Sequence, residues 1–281
     1  MRLLQKLSSF IIYSNLFIAG CSVLMVIQTF SFLLHITFNI YFTWFVLFST
    51  ICSYSFHWFL SLDSVIPSPR IQWEHRNKGI HLFFFIIGLV GSGIFFFYLL
   101  PYWKWLLYSA FITFLYSAPK IPHKYFRVLR KIAFGKTVFL ALVWTHVTTI
   151  LPIIISGQSW KTELILFVIS RYFLIFSICI IFDYRDRDDD KATGVRSLIT
   201  YSNQSSITNL FIFSLLIFLT STLLMLNYSY TSTSVLILLI PGIITGALYN
   251  YARRHYSDTL YYFVLDGLMA LSALIMLITG I

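Results

Sequence analysis

The feature that most limits this chain is a succession of apolar runs, each close to the length of a membrane crossing. A helix needs about 20 mostly apolar residues to span the hydrocarbon core. Such runs recur at roughly 10–31, 37–61, 80–100, 103–118, 133–155, 162–182, 207–227, 233–250 and 260–280. In 281 residues they leave no room for a separate soluble domain. With 58% hydrophobic and 11% charged residues, the chain lies outside the range of soluble domains. The expected fold class is therefore all-α: a polytopic membrane protein of about nine transmembrane helices, in a single domain over 1–281. The fourth run is the shortest. The first two are separated near His35 to Asn39 by almost nothing polar.

Charge sets the expected orientation. Every Lys and Arg except Lys104, Lys161 and Arg171 falls at the N-terminus or in the connections after runs two, four, six and eight. By the positive-inside bias, the N-terminus is cytoplasmic and the C-terminus external. Net charge is +10, but no basic stretch lies outside these loops, so nucleic-acid binding is not expected. The basic residues suit anionic lipid headgroups instead. Cys21, Cys52 and Cys179 all fall in apolar runs and read as small buried hydrophobes. The stretch Ile18 to Cys21 resembles a lipoprotein cleavage box, yet the apolar run continues past it, as an uncleaved first span would.

Polar residues inside spans carry most of the remaining information. Arg171 lies twelve residues before Asp183, about 18 Å along a helix, and its expected partner is Asp266 in the last span. His57, His81 and His146 read as satisfied core histidines. No HxxxH or CxxC spacing supports a zinc or haem site.

The chemistry concentrates in Asp183 to Leu198, DYRDRDDDKATGVRSL. Asp183, Asp186, Asp188, Asp189 and Asp190 make up half of the ten acidic residues. If the helix continues, Asp183, Asp186 and Asp190 share one face, because steps of three and four return to the same side. Such a face suits a hard cation, most naturally Mg²⁺ completed by phosphate oxygens and water. The other reading is a solvated charged loop capping a membrane helix. Leu115 to Lys124, LYSAPKIPHK, is a basic loop ordered by two prolines, from which Tyr116 and Lys124 can point inward. A basic loop facing an acidic one suits a diphosphate.

Nine runs, the DxxxD of Asp186 to Asp190 at the end of the sixth, and the Tyr116-Ser117-Ala118-Pro119 turn after the fourth resemble the UbiA superfamily of intramembrane prenyltransferases. Leu115 to Pro119 with Lys124 is similar to its chlorophyll-synthase branch. The resemblance implies a UbiA-like bundle in a bacterial inner membrane. It implies transfer of a prenyl group from an isoprenyl diphosphate to an aromatic or other lipophilic acceptor, with Mg²⁺. Carried over by position, Asp183, Asp186 and Asp190 become metal carboxylates, Lys124 and Lys120 contact diphosphate, and Tyr116 lines the reacting centre. The family's first motif, NxxxDxxxD, is degenerate. Its best register falls on Ser55, Phe59 and Asp63, so Asp63 alone keeps a metal-binding side chain. His57, Arg70, Arg76 and Arg187 are the expected further contacts to diphosphate. Two other readings remain: a non-catalytic binder of lipid diphosphate or quinone, and a transporter built on Arg171 and Asp266.

Overall fold

The computed structural model describes residues 2–60, 68–117, 135–195 and 197–281. Among the described residues the chain is helical. An amphipathic helix α1 (Arg2–Tyr13) precedes α2 (Leu16–Gln28), which widens into a π-helical turn at Thr29–Leu33. Then come α3 (Ile40–Phe59), the short α4 (Pro69–Arg76), α5 (Lys78–Tyr98) and α6 (Trp103–Ser117). Helix α7 (Gly135–Thr145) runs through a second π turn, His146–Ile150, into α8 (Leu151–Ser156). The long α9 (Thr162–Thr193) is followed by α10 (Leu198–Tyr201), α11 (Gln204–Leu224) and α12 (Ser232–Ala252). A third π turn, Leu260–Leu265, leads into α13 (Asp266–Thr279).

Seven of these helical stretches are long and apolar enough to cross a membrane: Leu16–Leu33, Lys78–Tyr98, Gly135–Ser156, Thr162–Ala192, Gln204–Asn227, Ser232–Ala252 and Leu260–Thr279. The chain is a multi-pass membrane protein. Seven differs from the nine runs of the sequence for a physical reason. Helix α3 has the length but carries Thr43, Thr50, Ser55 and His57, and α6 has only 15 residues, about 22 Å of helix. The first apolar run is also cut. Asn15 takes a left-handed conformation (φ 69°), so the crossing begins at Leu16 and α1 stands apart from it. The sixth run does not stop at residue 182, because the helix carries on to Thr193.

Helix α9 is the hub. It packs against α7, α11, α12 and α13, and α13 in turn packs against α2. Helices α3 and α5 form a close pair at one side. A Cβ on Gly88 would lie 2.6 Å from the Cys52 backbone nitrogen, so the missing side chain sets how near the two helices come. The outer face of α5 exposes Phe83, Leu89, Val90 and Phe97, as suits a surface that meets lipid rather than water.

The expected Arg171–Asp266 ion pair is absent. The Arg171 guanidinium donates to Gln28 Oε1, to Thr29 Oγ1 at 2.8 Å, to Thr149 Oγ1 at 3.0 Å, and to the carbonyls of Met25 and Thr148. Four of these five acceptors lie in or beside the first two π turns. Widened turns expose oxygen to a side chain, and here they solvate a cation that has no carboxylate beside it among the described residues. Gln28 continues the chain of contacts, donating to Ser272 of α13 at 3.1 Å. Arg171 thus ties α2, α7 and α9 together from the middle. His81 and His146 also depart from expectation. Both are buried edge-on to aromatic rings, yet neither ring nitrogen of His81, nor Nε2 of His146, has a hydrogen-bond partner among the described residues.

Candidate functional site

The acidic stretch is helical to its end. Gly194 stops it with φ 69°, and Val195 N–H returns to the Asp190 carbonyl at 2.8 Å, the bond pattern of a glycine-terminated helix. Helical spacing then sorts the charges. Asp183 and Asp190 are buried and Asp186 is partly covered, whereas Arg187 and Asp188 face outward. Asp183, Asp186 and Asp190 therefore share one inward face. Arg187, expected at the diphosphate, is on the other side of the helix.

Lys136, in the first turn of α7, faces these three carboxylates. Its ammonium contacts Asp186 and lies 3.5 Å from Asp190 Oδ2. The next residue, Thr137, donates to Asp183 Oδ2 at 2.6 Å. Asp190 also accepts from Ser197 beyond the helix stop. In the sequence Lys136 is one more basic residue of the connection after the fourth run. The only sign of its role was its place beside Gly135, where the apolar run begins.

Behind the carboxylates the walls are aromatic. The rings of Tyr116 and His57 stack with centroids 4.9 Å apart, and His57 Nδ1 lies 3.3 Å from Ser117 Oγ. Tyr116 sits in the field of Lys136, Asp186 and Asp183. Tyr54 sits in the field of Tyr116 and of Asp266, and its hydroxyl accepts from Trp144 Nε1 at 3.1 Å. Tyr54, Tyr116 and Asp266 are each only partly buried. The structure thus brings together Asp183, Asp186, Asp190 and Tyr116, with His57 stacked on the tyrosine.

Other expected residues lie elsewhere. Arg70 is buried and bound to Glu74 Oε1 at 2.7 Å and Asn15 Oδ1 at 2.9 Å. Its guanidinium is sandwiched between Trp58 and Tyr262, 3.8 and 3.9 Å from the ring centres. Such a group is fully engaged within the protein. Arg76 is exposed at the end of α4. Ser55 is buried against Asn15 and Phe59 is exposed. Asp63, Lys120 and Lys124 fall outside the described residues.

A second network, which the sequence did not reveal, braces the site from the side. Asp258 accepts from Arg185 Nη2 at 3.1 Å through one oxygen and from the Arg70 backbone N–H at 2.8 Å through the other. Arg185, on α9, also donates to the Tyr262 hydroxyl. One carboxylate thus joins the acidic helix to the start of α4.

No family model, curated protein or solved structure matches the chain. Among the described residues, no three His, Cys, Asp or Glu side chains are grouped so as to hold a metal ion. Asp186 and Asp190 are turned to an ammonium, and Asp183 to a hydroxyl. As described, the face is a carboxylate cage around a lysine, with about a third of the Asp186 side chain uncovered. Such a cage fixes the position of a cation that can meet a phosphate.

Proposed function

We propose that this chain is a UbiA-type transferase, which moves an isoprenyl group from a prenyl diphosphate to a lipophilic acceptor within the membrane. The observation that carries this reading is the position of Lys136, caged by Asp186 and Asp190 where an aromatic wall begins. In the reaction the allylic carbon–oxygen bond breaks and its electron pair leaves on the diphosphate. Lys136 offsets the charge that develops there. The allylic cation faces the ring of Tyr116, whose π-face favours positive charge, with His57 stacked on that ring. The acceptor forms the new bond and releases a proton to water.

Magnesium belongs to the substrate in this reading, arriving as the counter-ion of the diphosphate. Three carboxylates against one ammonium would repel a bare diphosphate. Asp186 is the carboxylate with the most uncovered surface to meet the incoming cation. The family resemblance adds Lys120 and Lys124 as diphosphate contacts and Asp63 as a metal carboxylate, all three outside the described residues. The same reading has α3 and α6 crossing as well, for nine crossings in a UbiA-like bundle of a bacterial inner membrane. The basic bias supports a cytoplasmic N-terminus and an external C-terminus.

A second reading is a binder of lipid diphosphate or quinone without turnover. It is favoured by the exposed Phe59 at a position where the family has a ligand, and by an ammonium in the place of a metal. One experiment separates the two. Membranes carrying the full chain are incubated with labelled farnesyl or geranylgeranyl diphosphate and Mg²⁺. Pyrophosphate release above that of an Asp190→Ala control, with label moving into the lipid extract, supports the transferase. Saturable binding without release supports the binder. Neither binding nor release contradicts both.

A further inference from the structure

At the end of the bundle opposite the carboxylates, a cavity of about 700 Å³ opens between the turn after α2, the start of α9 and the link from α11 to α12. Its size is that of a small-molecule site. Its walls are held in place. Gln158 Nε2 donates to the Leu34 carbonyl at 3.0 Å, and the Tyr230 hydroxyl donates to the Leu33 carbonyl at 3.4 Å. His35, with φ 53°, lays its ring nearly parallel to that of Tyr230. Burial and the Glu163 carboxylate push the Tyr230 phenol up to about 12, so it remains a neutral donor.

Two opposite charges line the same cavity. Lys161 precedes the first turn of α9 and Glu163 lies within it. Neither makes an ion pair or a side-chain hydrogen bond among the described residues. Gln158 has its amide nitrogen engaged and presents its Oε1 as an acceptor. Trp160 and Trp103 are exposed at this end, as side chains are at the level of lipid headgroups.

We propose that this cavity binds the headgroup of a phospholipid that carries a primary ammonium, its phosphate on Lys161 and its ammonium on Glu163 and Gln158 Oε1. A headgroup of this kind matches both unpartnered charges at once. An anionic lipid would satisfy Lys161 and set its negative charge against Glu163. A choline headgroup has no N–H to donate to Glu163 or to Gln158. The Tyr228 and Tyr230 rings add aromatic faces for a cation. Nothing in this assignment depends on the transferase reading.

The test is native mass spectrometry of the purified full chain with phosphatidylethanolamine, phosphatidylcholine and phosphatidylglycerol of equal chain length, and with free phosphoethanolamine. Phosphatidylethanolamine is expected to be retained best. Lys161→Ala and Glu163→Gln should each weaken its binding about tenfold, the effect of one charge-assisted hydrogen bond. Both residues lie at the rim, so the melting temperature of the lipid-free protein should stay the same. Equal retention of the three lipids, or indifference to both substitutions, would overturn the assignment. Free phosphoethanolamine binding as tightly as the lipid would overturn it too, since the cavity would then serve a soluble ligand.

Discussion

Lys136 and Asp190 meet across 54 positions of chain, with the ammonium 3.5 Å from Oδ2 and also in contact with Asp186. The lysine comes from the first turn of α7 and the carboxylates from the last turns of α9, so packing of these two helices creates the site. Lys136→Met keeps much of the side-chain length and removes the charge. It should lower prenyl diphosphate turnover by on the order of 10²- to 10³-fold, the loss typical of one preorganised charge at a developing anion. Steady-state rates in membranes check this. A change below about threefold would mean that Lys136 only holds the carboxylates apart.

Arg171 predicts a stability effect without a local effect on the acidic face. Truncation to Ala leaves Gln28, Thr29, Thr149 and two carbonyls without their shared donor inside the bundle. The expected loss is about 3–5 kcal/mol, as for breaking a buried charged network. Thermal denaturation in detergent measures it. A transporter that used Arg171 as a substrate relay would instead lose flux with an unchanged melting temperature.

Asp258 predicts a coupled defect. Asp258→Ala frees Arg185 on α9 and the Arg70 N–H on α4 together. A double-mutant cycle with Arg185→Ala should show a coupling energy of about 1–3 kcal/mol. Strict additivity would mean that the contact does not hold the two elements in place.

Gly88 predicts a steric effect on the α3–α5 pair. Gly88→Val places side-chain atoms against the Cys52 backbone, which cannot rotate away. The expected destabilisation is about 1–3 kcal/mol. Gly93, with open space around its position, is the control, and Gly93→Val should stay within about 1 kcal/mol of the parent. Equal melting temperatures for all three proteins would contradict the close approach of these helices.

What the sequence could reveal depended on whether a feature repeats along the chain. The shared face of Asp183, Asp186 and Asp190 was legible because three- and four-residue steps are a property of the helix itself. The multi-pass architecture was legible because each span is a run of apolar residues. The break at Asn15 was less so, since two polar residues, Ser14 and Asn15, barely dent an apolar average. Pairing Arg171 with Asp266 failed because it matched signs of charge. The real partners are hydroxyl, amide and carbonyl oxygens, which leave no charge pattern. Lys136 and Asp258 act through contacts across 50 to 188 positions, and no local motif marks either of them.

The most direct measurement compares three neutralised carboxylates on one helix. Asp186→Asn and Asp190→Asn alter the face that meets Lys136, and Asp188→Asn alters the outward side of α9. Mg²⁺-dependent pyrophosphate release from geranylgeranyl diphosphate is followed for each in membranes. The expected result is a loss of on the order of 10²-fold or more for Asp186→Asn and Asp190→Asn, and a rate within about twofold of the parent for Asp188→Asn. Equal rates for all three variants would contradict it.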